Sequence, residues 1–63
     1  MTVKKIFMFR SISFISDHTE VWIRSDFKVL THGKWYNDNV LKYLDYKVKS
    51  ITIEDNNLYI DIK

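Results

Sequence analysis

The sequence predicts a small α+β domain, an antiparallel sheet of two β-hairpins with a short helix between them. Three observations support this fold class. Apolar and polar residues alternate at a spacing of two over about 19–31 and again over about 48–62. Helix-start residues follow the only glycine, Gly33, and predict a helix near 38–44. A length of 63 residues allows a single domain over 1–63, with a thin core.

The opening ten residues fit either a helix or a strand. In a helix, Thr2 is the cap, and Val3, Ile6, Phe7 and Arg10 share one face. The aromatic and β-branched residues favour a strand, although a strand would carry large apolar groups on both faces. The run also has the basic start of a signal peptide. Because Arg10 interrupts it early and no small-residue cleavage site follows, we expect neither export nor a membrane span.

The first hairpin, about 19–31, permits more than one register. A two-residue loop at 25–26 would mix polar and apolar residues on one face. A three-residue loop that includes Phe27 gives these pairs: Ile23 with Val29, Trp22 with Leu30, and Arg24 with Lys28. We prefer the three-residue loop, because it separates an aliphatic inner face from a mixed outer face.

The second hairpin, about 48–62, turns at Asp55 and Asn56, residue types that tolerate left-handed backbone. This turn gives two apolar pairs on one face: Ile53 with Leu58, and Ile51 with Ile60. Val48 has the wrong parity for that face. The mismatch predicts either a bulge near Lys49 and Ser50 or a strand that begins after Val48.

The connection between the hairpins starts at Gly33, which we expect to let the chain turn without a steric penalty. Asn37 or Asp38 then caps the short helix. Its inward residues are expected to be Val40, Leu41 and Leu44.

The residues that most catalytic and cofactor sites need are missing from this chain. One glycine excludes a phosphate-binding loop or a dinucleotide fingerprint, and there is no cysteine to act as a nucleophile or form a disulfide. His18 and His32 lack the spacing of metal ligands, so we expect no metal and no cofactor. An acid–base site would require His32 to meet a carboxylate. We therefore predict that the protein is not an enzyme.

The aromatic content is high for such a short chain, 16% of all residues. The candidate partner-binding residues are Trp22, Arg24, Lys28, Lys34 and Trp35. Basic and aromatic residues together bind single-stranded nucleic acid, and tryptophan and arginine also dominate protein-binding hot spots. In the plain alternative, the aromatics are covered and the lysines protect an edge strand. A homodimer through an exposed strand edge would bury additional surface.

The outline of the chain, meaning the order of its sequence features, is defined by these segments: 2–5, 15–17, 19–23, 43–48 and 58–62, with Gly33 after the second strand. This outline resembles very small phage and prophage accessory proteins of low-GC Gram-positive bacteria. The lack of alanine, proline and glutamine is typical of an AT-rich coding sequence and agrees with that origin. The resemblance implies an amphipathic N-terminal helix, which makes us favour the helix over the strand at the start.

The resemblance also implies a mode of action, since accessory proteins of mobile elements often bind and block a host protein. The leading hypothesis is a non-enzymatic, anti-CRISPR-like inhibitor that contacts a host protein, such as a defence nuclease, in the host cytoplasm. One alternative is a small module that binds single-stranded DNA or RNA. A second alternative is a virion or assembly component.

Overall fold

Four strands form one sheet in the computed structural model, which describes residues 1–9 and 15–63. The elements, in chain order, are α1 (Val3–Phe9), β1 (Glu20–Ser25), β2 (Lys28–Gly33), α2 (Asp38–Leu41), β3 (Val48–Glu54) and β4 (Asn57–Ile62). The order across the sheet is β2-β1-β4-β3. Both hairpins are antiparallel, but the two central strands run parallel. The small α+β class is confirmed, and the predicted antiparallel sheet is corrected to a mixed one.

The parallel pair of β1 and β4 is the centre of the fold. Val21 lies opposite Leu58 and Ile23 opposite Ile60, and all four side chains are fully buried. Parallel neighbours need a long crossover, and here the crossover includes β2, α2 and β3. The main chain also joins the two hairpins where these strands start, because the Glu20 N–H donates to the carbonyl of Asn56 at 3.1 Å.

The register of the first hairpin differs from the predicted one. The loop has two residues, Asp26 and Phe27, which adopt φ values of 50° and 68°. Successive left-handed residues are typical of the hairpin turn whose twist matches that of the flanking strands. The observed pairs are Ser25 with Lys28, Arg24 with Val29, Ile23 with Thr31, Trp22 with His32, and Val21 with Gly33. The predicted three-residue loop is wrong. The preference for it rests on the separation of an aliphatic face from a mixed face, but the bulge between Ile23 and Arg24 shifts the pairing by one residue, so a longer loop is not needed.

The second hairpin has the register that its alternation predicts. Ile53 lies opposite Leu58, and Ile51 lies opposite Ile60. The register shifts between Val48 and Ser50, which is where the parity of Val48 predicts a bulge. Val48 is therefore part of the strand and lies opposite Ile62, so the alternative of a later start is wrong.

The N-terminal segment is a helix, and the strand alternative is wrong. Val3, Ile6 and Phe7 are buried on one face of α1 at helical spacing. Thr2 precedes the helix and its Oγ1 accepts a hydrogen bond from the Lys5 N–H at 3.4 Å, a long capping contact. The position of Arg10 on the predicted face lies outside the described residues.

Gly33 has a different role from the predicted one, since it ends β2 with an ordinary φ. A Cβ atom on Gly33 would lie 2.8 Å from Asn37 Oδ1, so a larger residue here would displace the Asn37 side chain. Asn37 Oδ1 accepts a hydrogen bond from the Lys34 N–H at 2.7 Å. Asn37 precedes α2 but makes no side-chain capping bond to it. The turn at 34–37 therefore brings the Asn37 side chain close to Gly33.

The second helix is shorter than the predicted 38–44, because it ends at Leu41. Tyr43 and Leu44 continue the chain in tighter turns, with N–H groups that donate to the carbonyls of Val40 and Leu41. Val40 is fully buried, and Leu44 is partly buried against the core.

The core lies between the helices and one face of the sheet. Its buried residues are Val3, Ile6, Phe7, Ile15, Val21, Ile23, Val40, Leu58, Ile60 and Ile62. Neither described helix has the length and apolar character needed to cross a membrane.

We expect Ile23→Val to lower the free energy of unfolding by about 1 kcal/mol, because one methylene is lost from the fully buried centre of the parallel pair. The matched control is Ile53→Val, at a strand position that is 52% exposed, and it should change stability by less than about 0.5 kcal/mol. Urea unfolding measures both. Equal losses in the two variants would contradict the central position of β1.

Candidate functional site

The sheet face opposite the core carries most of the chemistry of this protein, and we call it the outer face. Alternation along each strand places polar and aromatic side chains there, while the helices pack on the other side. Its residues are Glu20, Trp22 and Arg24 of β1, His32 of β2, Asn57, Tyr59 and Asp61 of β4, and Ser50 and Thr52 of β3.

Three rings form a row across the middle of the outer face. The His32 and Trp22 rings are stacked, with centroids 4.2 Å apart and planes inclined by 21°. Trp22 and Tyr59 are also near-parallel, at 5.9 Å and 24°. The indole Nε1 of Trp22 donates to Asn57 Oδ1 at 3.0 Å, which fixes the orientation of the ring. We call His32, Trp22 and Tyr59 the aromatic row.

Arg24 and Asp61 form a two-pronged ion pair at one side of the aromatic row. Arg24 Nε donates to Asp61 Oδ1 and its Nη2 donates to Oδ2, both at 3.0 Å. Ser50 Oγ donates to the same carboxylate at 3.1 Å. The guanidinium lies over the Tyr59 ring, 4.7 Å from its centroid. A bidentate pair held by a third donor and a ring is rigid, and it neutralises the charge of Arg24 locally.

Glu20 has two hydrogen-bonding partners, His32 and Lys34, at the other side of the row. Its Oε2 lies 2.8 Å from Nδ1 of His32, and its Oε1 accepts from Lys34 Nζ at 3.0 Å. These two hydrogen bonds, first from His32 and then from Lys34, lower the pKa of the Glu20 carboxyl below its ordinary value. Asn39 Nδ2 donates to the carbonyl of His32 at 2.8 Å, so α2 helps to position the histidine.

A cavity of about 150 Å³ lies at the end of the sheet where the first hairpin turns. It is lined by Arg24, Asp26, Phe27, Lys49, Ser50, Asp61 and Ile62. Phe27 is fully exposed and has the left-handed φ of 68°. A large apolar side chain in that conformation costs stability and gains no burial, which favours a role outside the folded monomer.

The five candidate residues predicted from sequence do not form one patch. Trp22 and Arg24 are on the outer face, and Lys34 reaches its border through Glu20. Lys28 lies opposite Ser25 beside the turn. Trp35 lies on the opposite side, where it lines an apolar cavity of about 210 Å³ beneath α1 and packs against the core.

Sequence reasoning missed the partners that complete the face. Tyr59, Asp61, His32 and Asn57 all contact predicted residues, yet none was a candidate for partner binding. Alternation in the second hairpin does place Tyr59 and Asp61 away from the core. No local signal shows that β4 lies beside β1, and only that neighbourhood brings them to Trp22 and Arg24.

In the described part of the chain, no group of three histidine, aspartate or glutamate side chains could hold a metal ion. Comparison of the chain with protein families, with curated proteins and with solved structures finds no match. The function is therefore argued from the outer face itself.

We expect Glu20→Gln to reduce stability at pH 6 and to flatten the loss of stability in acid. Because the pKa of Glu20 is lower in the folded chain than in the unfolded chain, the ionised carboxylate stabilises the fold at pH values above the unfolded-state pKa of about 4.3. This stabilisation is lost as the pH falls through the folded-state pKa. Urea unfolding at pH 6 and pH 3 measures the difference. The control is Glu54→Gln, an exposed carboxylate of β3 with no ion pair to the described residues. An identical acid profile in Glu20→Gln and the wild type would contradict the role of Glu20.

Proposed function

We propose that this protein is a non-enzymatic binding protein that recognises a partner protein through the outer face. The aromatic row, flanked on both sides by cations already paired with carboxylates, is the observation that carries the proposal. Tryptophan, tyrosine and arginine held by fixed neighbours lose little conformational entropy on binding. They are also the residue types that dominate hot spots in protein interfaces.

The charge distribution favours a protein over a nucleic acid as the partner. Affinity for nucleic acid comes largely from cations that are available to phosphates. Arg24 is engaged by Asp61, and Lys34 shares Glu20 with His32. A phosphate backbone on this face would approach two carboxylates as closely as it approaches the cations, whereas a protein partner can complement both signs.

The Glu20 and His32 pair also has the geometry of an acid–base pair, at 2.8 Å. Its surroundings favour a positioning role. Glu20 also accepts a hydrogen bond from Lys34, and the His32 imidazole is stacked on Trp22. Both groups therefore help to hold the aromatic row in place. Neither residue lines the cavity near the first hairpin turn or the cavity beneath α1.

The partner we propose is a host protein, which this chain inhibits by covering a surface in the cytoplasm of a low-GC bacterium. The amino-acid composition, typical of an AT-rich coding sequence, and an outline that resembles phage accessory proteins motivate this choice. A defence nuclease, as for anti-CRISPR proteins, is the specific candidate to test first. A compact face of rigid aromatic residues suits steric blockade, because blockade requires affinity but no chemistry.

We expect the wild-type chain to capture a specific protein from a nuclease-treated lysate of a low-GC Gram-positive host, with mass spectrometry as the readout. Titration of that purified protein should then give an affinity that Trp22→Thr lowers by about 30-fold, the effect of losing a hot spot of about 2 kcal/mol. Threonine keeps the strand propensity at this position. Trp35→Phe, on the opposite side of the sheet, is the matched tryptophan control and should bind like the wild type.

Phe27→Gly gives a second variant that does not threaten the fold, because glycine adopts the positive φ of position 27 without strain. We expect it to unfold no more easily than the wild type and to bind more weakly, since the exposed ring at the end of the face would be lost. Wild-type affinity in both Trp22→Thr and Phe27→Gly would contradict the outer face as the interface. Recovery of nucleic acid alone, with tryptophan quenching by oligonucleotides that falls steeply with salt, would favour the nucleic-acid alternative.

A further inference from the structure

Strand β3 has a free edge whose backbone groups are arranged to pair with another strand. Its hairpin closes with Glu54 opposite Asn57, so the backbone of Glu54 and Thr52 points towards β4. Hydrogen-bonding groups alternate in direction along a strand. The N–H and C=O groups of Ile51 and Ile53 therefore point away from β4. No described residue pairs with them across that edge.

The first residues of the chain close the other end of this edge. The Val48 N–H donates to the carbonyl of Met1 at 2.7 Å, and Thr2 bridges to Lys47. The open stretch is consequently 50–54. This limit decides the register in which a second strand can be added.

A second copy of β3 fits the open stretch in one antiparallel register, centred on Thr52. Ile51 of each copy then lies opposite Ile53 of the other, so the outward N–H and C=O groups of both residues are satisfied in both copies. A register centred on Ile51 would instead place Lys49, which lies in the bulge between Val48 and Ser50, opposite Ile53.

The side chains agree with the register centred on Thr52. Ile53, which is 52% exposed in the single chain, would gain Ile51 of the second copy as its neighbour. Glu54 would lie opposite Ser50, and no like charges face each other across the five pairs. Just beyond these pairs, Lys49 in the bulge of one copy would lie near Asp55 in the turn of the other.

The other edge of the sheet, β2, carries the features with which proteins protect edges. Its pairing with β1 is interrupted by a bulge, and its residues include Lys28 and His32. Strand β3 also has a lysine and a bulge, but both lie at one end, at Lys49 and between Val48 and Ser50, so the stretch 50–54 is regular, whereas the irregularity of β2 falls in mid-strand, between Val29 and Thr31. The two edges are therefore not equivalent, and β3 is the one suited to pairing.

We propose that two copies of this chain associate through β3 into an eight-stranded sheet with two-fold symmetry. The two-fold axis passes between the Thr52 residues, perpendicular to the sheet, so both outer faces lie on the same side of the dimer. Two aromatic rows are then presented together. The proposal stands independently of what the outer face binds, because it rests only on the edge of β3.

Amide hydrogen exchange followed by NMR tests this assignment on the intact chain. Five residue pairs make a small interface, so the exchange is followed from about 10 µM to about 1 mM, the range of weak complexes. We expect the amides of Ile51 and Ile53 to become protected as concentration rises. Thr52, already bonded to β4, should be protected throughout, and Val29 on the edge of β2 should exchange rapidly throughout. Fast exchange of Ile51 and Ile53 at every concentration would overturn the proposal.

Sedimentation equilibrium on two matched variants gives an independent test. Ile53→Lys and Val29→Lys place the same charge at positions that are 52% and 51% exposed, on opposite edges. We expect Ile53→Lys to be monomeric and Val29→Lys to associate like the wild type. Wild-type association of Ile53→Lys, or a monomeric Val29→Lys, would overturn the assignment to β3.

The opposite charges of Lys49 and Asp55 allow a rescue experiment. Lys49→Glu places a carboxylate near Asp55 of the second copy and should weaken association at low salt. Adding Asp55→Asn to that variant removes the repulsion, and asparagine tolerates the positive φ of 54° at this position. Recovery in the double variant supports the register. An unchanged association in Lys49→Glu would overturn it.

Discussion

The parallel pairing of β1 with β4 is the constraint on which the rest of this structure depends. Each hairpin alone has one apolar face and no means of covering it, and an isolated hairpin is at best marginally stable in water. Pairing β1 with β4 joins their apolar faces into one surface, which α1 then covers. The chain has no cysteine, so this shared core is not reinforced by a disulfide.

The same pairing builds the outer face. Trp22 lies opposite Tyr59 and Arg24 opposite Asp61 in the parallel register, so the ring contact and the ion pair both cross between the hairpins. Side chains on one face contribute to the core while their neighbours along the strand form the proposed interface. Stability and recognition are therefore coupled at these two strands. Variants that alter the outer face must be checked for folding before their affinity is interpreted.

Local patterns predict the parts of this fold that depend on near neighbours. The second hairpin follows from alternation and from the turn at Asp55 and Asn56, and the parity of Val48 locates its bulge. At the start of the chain the residue pattern fits both a helix and a strand, and only the resemblance to phage accessory proteins favours the helix α1. The first hairpin was mispredicted because Phe27 adopts a left-handed backbone that its residue type disfavours, so the turn is one residue shorter than the pattern suggests.

Long-range arrangement is the part that local patterns do not contain. Strand alternation indicates which face a residue occupies but not which strand lies beside it, so the predicted patch joined Trp22 to Trp35 on the opposite side of the sheet. Gly33 illustrates the same limit. The atom that a Cβ at this position would meet, Asn37 Oδ1 at 2.8 Å, comes close only after the turn has formed.

The most direct test of this account is a set of NMR cross-strand NOEs between β1 and β4 at low concentration. The parallel register predicts backbone contacts between the partners Val21 and Leu58 and between Ile23 and Ile60, with ring contacts between Trp22 and Tyr59. Observation of these contacts in one chain would support both the core and the outer face. Two hairpins with their internal NOEs intact but none between β1 and β4 would contradict the account.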